Sequence, residues 1–508
     1  MRALVFHGYL LRGTGSNVYN ARLCAALGRA GHTVDLLCQE PHPEELDFVD
    51  AVGTWDGGAA RVTTLREPVR VTAWRPAIGR LLPVYVADRY EGFEARTLLE
   101  CSDAEIEAYV QANVDAVRDV CARALPDVAL ANHLVMGPAI LARGLEGRVP
   151  YAVKVHGSAL EYVVKRDPQR FLPWAREGLA GARTVLVGSR HTGESLWAAM
   201  QDEDLPERTR LGPPGVDVDE FRPRVGDAAA GIASLVERLD ASGDVGGEGA
   251  FARDAGVAAD ALLGLDVTRD RHVCFIGKLI VSKGIDLLLA AWPLVPEARL
   301  VVVGFGGFRD GLLELLAALA EGDRDAVRAI AQAGRELEGG PRAPLRHLLA
   351  FLETADDDYW AAARDLRERV VLTGRLEHDE LAPLLAACEA LVFPSTFPEA
   401  YGMVAAEAAA CGVLPISAGH SGAKEVSAML AQAVPPEARE WLSFPIDDDT
   451  VRAIAARVRA WLEAPDDVRA ATRAALIATA HERFSWEGVA GGVLAAAQGR
   501  LAELPPVA

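Results

Sequence analysis

The stretch Phe397-Pro-Glu-Ala-Tyr-Gly-Met-Val-Ala-Ala-Glu-Ala-Ala-Ala-Cys-Gly412 decides the fold and the site of this chain. It follows a short apolar strand and runs through a turn into an alanine-rich helix that Gly412 ends. Glu399 lies before this helix, and Glu407 lies about one turn inside it. The first amides of a helix have no partner within the helix and attract anions, phosphate above all. Amides for phosphate beside carboxylates for hydroxyls predict a sugar-nucleotide site.

This stretch resembles the E-x7-E element of the retaining glycosyltransferases of family 4, which have the GT-B fold. The resemblance implies an α/β protein with two Rossmann-like, doubly wound parallel-sheet domains that face each other across a cleft. It implies a hexosyltransferase-type enzyme that moves a sugar from a nucleoside-diphosphate sugar to an acceptor hydroxyl. Glu399 would be a catalytic residue at the donor sugar, and Glu407 would bind the ribose. The residues whose amides would contact sugar and phosphate are Ala400, Tyr401, Gly402, Met403 and Val404.

A glycine-containing loop, residues 11–17, follows the first predicted strand and precedes the first predicted helix. Its glycines allow a ligand to approach the backbone closely, and the helix start favours phosphate. The loop lacks the G-x-G-x-x-G pattern of dinucleotide folds, so a tight strand-to-helix turn is the alternative. The family resemblance places Gly15 beside the donor diphosphate and sugar.

His156 lies at the carboxyl end of the predicted strand at residues 151–157, next to its final glycine. Catalytic groups of doubly wound sheets gather at the carboxyl ends of strands. A histidine with a structural role is the alternative. The surrounding sequence resembles the His-Gly or His-Asp element of family 4, which implies that His156 is a catalytic residue bound to the donor sugar.

Lys278 and Lys283 follow the first predicted strand of the second half of the chain. The whole chain has only five lysines. Two cations on a loop that ends in glycine can hold both phosphates of a diphosphate and stabilise the charge that develops as it leaves. Solvated surface lysines are the alternative, but the family has a similar basic element here. Leu376 lies in a segment whose family counterpart contacts the nucleobase. The segment at residues 417–425 could equally be a close-packed turn.

Two acidic runs, Asp356–Asp358 and Asp447–Asp449, resemble the metal-binding D-x-D of another glycosyltransferase fold. That motif belongs at the end of a strand, whereas these runs lie in helical or C-terminal contexts, so we interpret them as solvated. We therefore expect a metal-independent reaction without a cofactor. UDP- and GDP-sugars are the leading donor candidates.

A chain of 508 residues is too long for one ordinary core. Strand-like and helical patterns alternate in both halves, which predicts parallel sheets. We expect an acceptor-side domain at 1–218, a nucleotide-sugar-binding domain at 219–482, and a C-terminal helix at 483–508 that returns to the first domain. Helical insertions are expected at about 225–266 and 306–367. Residues 40–100 fit the pattern poorly and are interpreted as a surface excursion.

The net charge of −20 argues against nucleic-acid binding. No long apolar run and no secretion signal are recognisable, so we expect a cytoplasmic protein. Five arginines at residues 61–80 could suit a membrane surface, although a solvated excursion is preferred. The seven cysteines are scattered singly, which predicts neither a zinc site nor a disulfide framework.

Other classes of function fit the same residues. A nucleotide-sugar epimerase can share GT-B architecture and would turn over its substrate without an acceptor. A phosphorylase would need a lysine that carries pyridoxal phosphate. A non-catalytic nucleotide-sugar-binding protein is the third alternative. The acceptor could be a small molecule, a glycan or a lipid-linked sugar.

Overall fold

The computed structural model describes residues 1–56, 58–87, 90, 92–224, 226, 228–246 and 252–507. The chain divides into two compact units. Unit 1 comprises Met1–Gly215 together with Ser485–Ala508, and unit 2 comprises Val216–Phe484. The sequence-based expectation places these changes at 218/219 and 482/483.

Unit 1 is built on a large sheet with helices between its strands. The described strands of unit 1 are β1 (Arg2–Phe6), β2 (Thr33–Leu37), β3 (Ala51–Asp56), β4 (Ala59–Thr64), β5 (Val71–Arg75), β6 (Leu81–Val84), β7 (Glu94–Thr97), β8 (Val128–Asn132), β9 (Tyr151–Val155), β10 (Thr184–Val187) and β11 (Thr209–Leu211). Of these, β6 and β7 form a separate two-stranded sheet, and the others form the large sheet. The helices that accompany them are α1 (Gly15–Arg29), α2 (Asp103–Arg123), α3 (Gly137–Leu145), α4 (Pro168–Ala180) and α5 (Arg190–Met200).

The strand order in this sheet is β11-β10-β9-β8-β1-β2-β5-β3-β4, and every pairing is parallel except that of β3 with β4. The chain moves outward from β1 to one side and then returns to build the other side from β8. In such sheets ligands bind outside the carboxyl ends of the strands, where the order reverses. For unit 1 this point lies between β1 and β8.

The interpretation of residues 40–100 as a surface excursion is wrong for β5. This strand lies inside the sheet between β2 and β3, and Val71, Ala73 and Trp74 are buried. The indole Nε1 of Trp74 donates a hydrogen bond to Oδ1 of Asp35 at 2.9 Å. The arginines around β5 therefore made this short core strand difficult to recognise in the sequence.

Arginines near β5 bind backbone carbonyls of unit 1. Arg66 donates to Leu46 and Val49, Arg70 donates to Gly31, and Arg75 donates to Pro41. These guanidinium groups therefore connect neighbouring loops within the unit. Among the described residues, no helix is long and apolar enough to cross a membrane.

Unit 2 contains a second parallel sheet. The described strands of unit 2 are β12 (Val245–Gly246), β13 (Arg253–Asp254), β14 (His272–Ile276), β15 (Arg299–Val303), β16 (Val370–Gly374), β17 (Ala390–Phe393), β18 (Leu414–Ala418) and β19 (Ser443–Phe444). Of these, β12 and β13 form a separate two-stranded sheet. Its described helices are α6 (Ala228–Ser242), α7 (Ala255–Leu263), α8 (Ile285–Ala291), α9 (Arg309–Glu321), α10 (Arg324–Ala333), α11 (Arg346–Leu352), α12 (Asp357–Ala362), α13 (Leu366–Arg369), α14 (His378–Ala386), α15 (Met403–Ala410), α16 (Ser421–Ala433), α17 (Thr450–Glu463) and α18 (Asp466–Arg483).

The main sheet of unit 2 has the order β16-β15-β14-β17-β18-β19. Counted from β14, this is the 3-2-1-4-5-6 order of the Rossmann fold. The order reverses between β14 and β17, so a ligand site is expected where the loops after these two strands meet. The main sheets of the two units thus confirm the predicted pair of Rossmann-like domains.

Both regions that the sequence marks as insertions are mainly helical where the structure describes them, although the first also contains the short antiparallel pair β12 and β13. The first contributes α6 and α7, whose Leu235, Leu239 and Leu262 are fully buried in the core of unit 2. The second contributes α9 to α13, whose Leu315 and Phe351 are buried against the other side of the sheet. Each region therefore extends the core of unit 2.

A final helix, α19 (Trp486–Ala497), belongs to unit 1. Its Trp486 is buried against the ring of Tyr19, with ring centroids 5.6 Å apart. The backbone N–H of Leu211 donates to the carbonyl of Pro505 at 2.9 Å. Residues far apart in sequence therefore complete one core.

Candidate functional site

The loops after β14 and β17 carry most of the predicted donor-binding residues of unit 2. Lys278 lies two residues after β14, and Lys283 ends a 3-10 turn on the same loop. Gly284 follows with φ of 67°, and a Cβ atom there would lie 2.0 Å from the carbonyl oxygen of Pro394. Glycine is therefore required for the lysine loop to lie against the end of β17.

The ammonium nitrogen of Lys283 lies 2.5 Å from Oε1 of Glu399. The hydroxyl of Ser395 donates to the same oxygen at 2.5 Å, and the ring centroid of Phe393 lies 5.3 Å from the ammonium. Lys283 and Glu399 are each about one-fifth exposed, with values of 23% and 17%. The structure thus brings two predicted site residues into direct contact. Ser395 belongs to the same cluster and was not predicted from the sequence.

The start of α16 holds the loop that carries Glu399. The hydroxyl of Ser421 accepts a hydrogen bond from the backbone N–H of Glu399 at 2.9 Å. The backbone N–H of Gly422 donates to the carbonyl of Glu399, also at 2.9 Å. His420 donates from Nε2 to the carbonyl of Ser395 at 2.8 Å. The segment at residues 417–425, for which the sequence left a close-packed turn open, therefore holds the backbone that carries Glu399.

The predicted phosphate-binding amides lie at the start of α15. Met403 begins this helix, and Gly402 occupies the N-cap without a side-chain hydrogen bond. The residues on either side, Ala400, Tyr401 and Val404, are half-buried. The Tyr401 hydroxyl is buried and has no hydrogen-bond partner among the residues that the structure describes. Burial raises the pKa of Tyr401 well above its ordinary value. Tyr401 can therefore meet a ligand through its backbone, while its ring belongs to the core.

Glu407 is 2% exposed and forms a hydrogen bond with a residue that the sequence analysis missed. His378, at the start of α14, donates from Nε2 to Oε1 of Glu407 at 2.8 Å. The ring of Phe221 lies against that of His378, with centroids 5.0 Å apart. The Glu407 carboxylate is therefore held in one orientation. The histidine gives no local signal in the sequence, because it lies 29 residues away.

The loops after β14, β15 and β16 meet around Phe305. The ammonium of Lys278 lies 5.9 Å from the ring centroid of Phe305, and the guanidinium of Arg375 lies 5.0 Å from it. Arg375 also forms an ion pair with Glu377 at 2.8 Å. Leu376 is buried, at 8% exposure. Lys278 and the Leu376 loop therefore share one aromatic platform, whereas Lys283 lies against a different ring.

The second helical insertion contacts the lysine loop directly. Oε2 of Glu338 accepts a hydrogen bond from the backbone N–H of Val281 at 2.7 Å. Its Oε1 accepts from Nε of Arg335 at 2.9 Å. Val281 lies between the two lysines in sequence, so the insertion fixes the backbone of the segment that carries them.

In unit 1, the predicted residues Gly15 and His156 lie at the strand ends near the reversal of the sheet. Gly15 is exposed and begins α1. One turn later, Tyr19 packs edge-on against the ring of His156, with centroids 5.0 Å apart. Tyr19 thus connects the helix that Gly15 starts to the predicted catalytic histidine.

His156 forms a hydrogen bond through Nε2 with Oδ1 of Asn132 at 2.8 Å. Burial lowers the pKa of His156 well below its ordinary value, and the neighbouring His133 and Lys154 lower it further. Lys154 is 2% exposed and donates to the carbonyl of Gly212 at 2.5 Å. Burial lowers the pKa of Lys154 to about 7. The site in unit 1 therefore disfavours added positive charge.

The two acidic runs serve as helix caps and surface partners. Asp356 caps α12 by accepting from the backbone N–H of Tyr359 at 2.9 Å. Asp448 is 78% exposed and pairs with His347 at 3.1 Å. Within the described ranges, no cluster of three or more His, Cys, Asp or Glu side chains is arranged to hold a metal ion. All seven cysteines are buried free thiols.

Comparison with known protein families finds one match in each unit. The family described as glycosyl transferase 4-like domain matches residues 14–205, and the family described as glycosyl transferases group 1 matches residues 356–482. Together these two matches cover more than half of the chain.

Similar curated proteins include two D-inositol 3-phosphate glycosyltransferases. The one from Xylanimonas cellulosilytica is 26% identical over 329 residues, which are 65% of this chain and 60% of the relative. The one from Segniliparus rotundus is 28% identical over 300 residues, which are 57% of this chain and 46% of the relative. The chain thus spans about half the length of these relatives.

Solved structures with a similar fold include a sucrose-phosphate synthase from Thermosynechococcus elongatus, with a TM-score of 0.58 and 18% identity over 99% of this chain and 100% of that one. HepE from Anabaena in complex with UDP-glucose has a TM-score of 0.56 and 16% identity, again over 99% and 100% of the two chains. At these identities the likeness is one of fold.

Proposed function

Because this chain belongs to the GT-B glycosyltransferases of family 4, we propose that it transfers a sugar from a nucleoside-diphosphate sugar to an acceptor hydroxyl, with retention and without a metal ion. The observation that carries this proposal is the cluster of Lys283, Glu399 and Ser395 at the switch point of unit 2. A cation and a carboxylate held together at that point suit a phosphate and a sugar hydroxyl that are themselves joined.

In this proposal the donor binds along the carboxyl ends of β14, β16 and β17. Lys278 and Lys283 contact the diphosphate together with the first amides of α15. Glu407 accepts hydrogen bonds from the ribose hydroxyls, and the Leu376 loop contacts the base. Glu399 contacts the sugar. UDP and GDP are the nucleotides to test first, and HepE of Anabaena has been solved with UDP-glucose.

The chemistry proceeds at the anomeric carbon. The bond between that carbon and the phosphate oxygen breaks, and its electron pair stays with the phosphate. The acceptor oxygen forms the new bond on the same face, and its proton passes to a phosphate oxygen. The lysines and the α15 amides stabilise the charge on the leaving group, which in other folds is a role of a metal ion.

We propose that the acceptor is a small polar molecule with a free hydroxyl. The curated relatives are named for D-inositol 3-phosphate, so this compound is the first acceptor to test. His156 lies in unit 1 and is proposed to hydrogen-bond to the donor sugar.

The decisive experiment is a thermal-shift screen of nucleotide sugars followed by turnover with and without acceptor. The expected result is release of nucleoside diphosphate only when an acceptor is present, at the same rate with and without EDTA. Proton NMR of the product then reads its anomeric configuration. Sugar-nucleotide turnover without any acceptor would instead identify an epimerase. An absorbance band of pyridoxal phosphate would identify a phosphorylase.

A further inference from the structure

We infer that Asn132 is a positioning residue that holds His156 as a neutral imidazole with its proton on Nε2 and its lone pair on Nδ1. The hydrogen bonds that set this state run through unit 1 from the Gly15 loop to His156. The catalytic meaning of His156 rests on the proposed function. The state of its ring does not, because it follows from contacts within unit 1.

The side chains of Asn17, His7, Asn20, Asn132 and His156 form a continuous chain of hydrogen bonds near the ends of β1, β8 and β9, which we call the relay. Four of them are 0–2% exposed. Asn17 contacts His7 at 3.0 Å, His7 contacts Asn20 at 3.0 Å, Asn20 contacts Asn132 at 2.7 Å, and Asn132 contacts His156 at 2.8 Å.

The direction of the hydrogen bonds at Asn132 is set by a backbone carbonyl. Nδ2 of Asn132 lies 3.1 Å from the carbonyl oxygen of Phe6 and 2.7 Å from Oδ1 of Asn20. A carbonyl oxygen only accepts, so the amide nitrogen of Asn132 must face it. Its Oδ1 then faces His156 and can only accept. The proton in that contact therefore belongs to Nε2 of His156.

The other end of the relay sets the same direction independently. Nδ2 of Asn17 donates to the carbonyl of Arg12 at 2.7 Å, so its Oδ1 accepts from Nε2 of His7. Nδ2 of Asn20 donates to the carbonyl of Ser16 at 2.8 Å and to Nδ1 of His7 at 3.0 Å. With the amide nitrogen of Asn20 so placed, its oxygen accepts from Asn132. Three backbone carbonyls thus give one consistent assignment.

The surroundings of His156 keep its ring neutral. The groups that face it are His133, Lys154, His7 and Tyr19, and none of the four carries negative charge. Burial and the first three of these neighbours lower the pKa of His156 well below its ordinary value. A neutral ring with its proton on Nε2 must carry its lone pair on Nδ1.

This state suits the proposed reaction. A lone pair on Nδ1 can accept a hydrogen bond from a hydroxyl of the donor sugar. An imidazolium could not accept it, and it would add positive charge beside a ring that becomes cationic as the bond to phosphate breaks. The relay therefore selects the one form of His156 that binds the sugar without opposing its reaction.

The test uses the full chain labelled with 15N-histidine. Two-bond proton–nitrogen spectra distinguish the Nε2–H tautomer, the Nδ1–H tautomer and the imidazolium. The chain has 11 histidines, and loss of one signal set in His156→Gln assigns His156. Asn132→Leu removes the acceptor at similar size. Asn113→Leu is the matched control, because Asn113 is also fully buried in unit 1 and its Oδ1 has no partner among the described residues.

The expected wild-type spectrum shows His156 as the neutral Nε2–H tautomer at pH 7. Asn132→Leu should populate the Nδ1–H form and lower kcat by at least about tenfold, as loss of an orienting hydrogen bond to a functional histidine does elsewhere. Its affinity for nucleoside diphosphate should stay within about twofold, because the lysines and glutamates proposed to bind the nucleotide lie in unit 2. Asn113→Leu should leave the His156 signals unchanged.

An imidazolium or an Nδ1–H tautomer in the wild type would overturn the inference, and so would an unchanged tautomer in Asn132→Leu. If Asn132→Leu does not fold, the wild-type spectrum decides alone. If the wild type transfers no sugar to any acceptor, the proposed function fails while the spectrum still reads the relay.

Discussion

The ammonium nitrogen of Lys283 lies 2.5 Å from Oε1 of Glu399, so the proposed diphosphate cation and the proposed sugar carboxylate neutralise each other in the free protein. A donor that binds here must draw Lys283 toward phosphate and leave Glu399 for a sugar hydroxyl. Each group is then ready at the position where its ligand arrives. The contact also ties the loop after β14 to the loop after β17.

Replacing both lysines tests the diphosphate site. Lys278→Ala with Lys283→Ala should weaken binding of UDP or GDP by at least roughly tenfold, because each charge-assisted contact contributes about 1.5–3 kcal/mol. Calorimetry with the free nucleotides measures this directly. Lys165→Ala is the control, since Lys165 pairs with Glu161 in unit 1. Equal affinities in the double variant and the wild type would remove these lysines from the site.

The two glutamates should affect different kinetic constants. Glu399→Gln should lower kcat with little loss of nucleotide affinity, because the donor sugar changes charge and shape during reaction. Glu407→Gln should chiefly raise the donor KM and weaken the nucleotide product, because the ribose does not change. Steady-state kinetics beside nucleotide titrations separate the two effects. Intact kcat with damaged nucleotide binding in Glu399→Gln would contradict the orientation assigned to its loop.

His378 should act on the donor through Glu407. His378→Leu leaves a carboxylate of 2% exposure without its hydrogen-bond donor, which should lower the free energy of unfolding by about 1–3 kcal/mol. It should also raise the donor KM more than it lowers kcat. His378→Gln, which keeps a donor, should restore part of both. His347→Leu is the control, because His347 pairs with the exposed Asp448. A KM equal to that of the wild type would count against this role.

Glu338 should link the second insertion to nucleotide binding. Glu338→Ala removes the acceptor of the Val281 N–H and should weaken binding of nucleoside diphosphate, because the lysine loop loses a fixed point. Glu338→Gln keeps an acceptor and should bind more tightly than the alanine variant. Glu336→Ala, at an exposed position of the same turn, should bind like the wild type. Calorimetry compares all four proteins, and the idea fails if Glu338→Ala also binds like the wild type.

Lys154 should make stability depend on pH. Burial lowers its pKa from 10.5 to about 7 in the folded state, so between these values the unfolded chain holds a proton that the folded chain has lost. The contribution of Lys154 to the free energy of unfolding therefore rises as pH increases from about 7 to about 10.5. Denaturant titrations of wild type and Lys154→Met should show the wild type gaining stability relative to the variant over this range. A constant difference would contradict the shift.

The strands that carry the site were predictable from sequence. β14 and β17 are short apolar runs that stop within one residue of Gly277 and Pro394, and the predicted strands end there too. Parallel pairing then places the loops after these strands at one edge, so Lys283 and Glu399 could be expected together. The end of each strand can be predicted locally, from its apolar run and from the glycine or proline that follows it.

The partners of the site residues could not be predicted in the same way. His378 reaches Glu407 only because α14 and α15 lie side by side in unit 2, and neither segment marks the other in sequence. β5 was missed because an arginine and a proline flank a core strand whose neighbours, β2 and β3, are not consecutive with it. The relay joins His7 to His156 through Asn20 and Asn132, which look like an ordinary helix residue and an ordinary strand-end residue in the sequence. Such contacts depend on how helices and strands that are distant in sequence pack against each other.

The division of unit 1 into two stretches of sequence has a consequence for biosynthesis. Trp486 and Leu494 are buried in the same core as Leu23 and Leu130, but they emerge from the ribosome only after all of unit 2. Domains generally fold as units while the chain is synthesised. Unit 2 is continuous and can complete its core first, whereas nascent unit 1 must wait with an apolar surface uncovered beside Tyr19. During synthesis, the first stretch of unit 1 is therefore expected to expose apolar surface until the last residues of its core have been made.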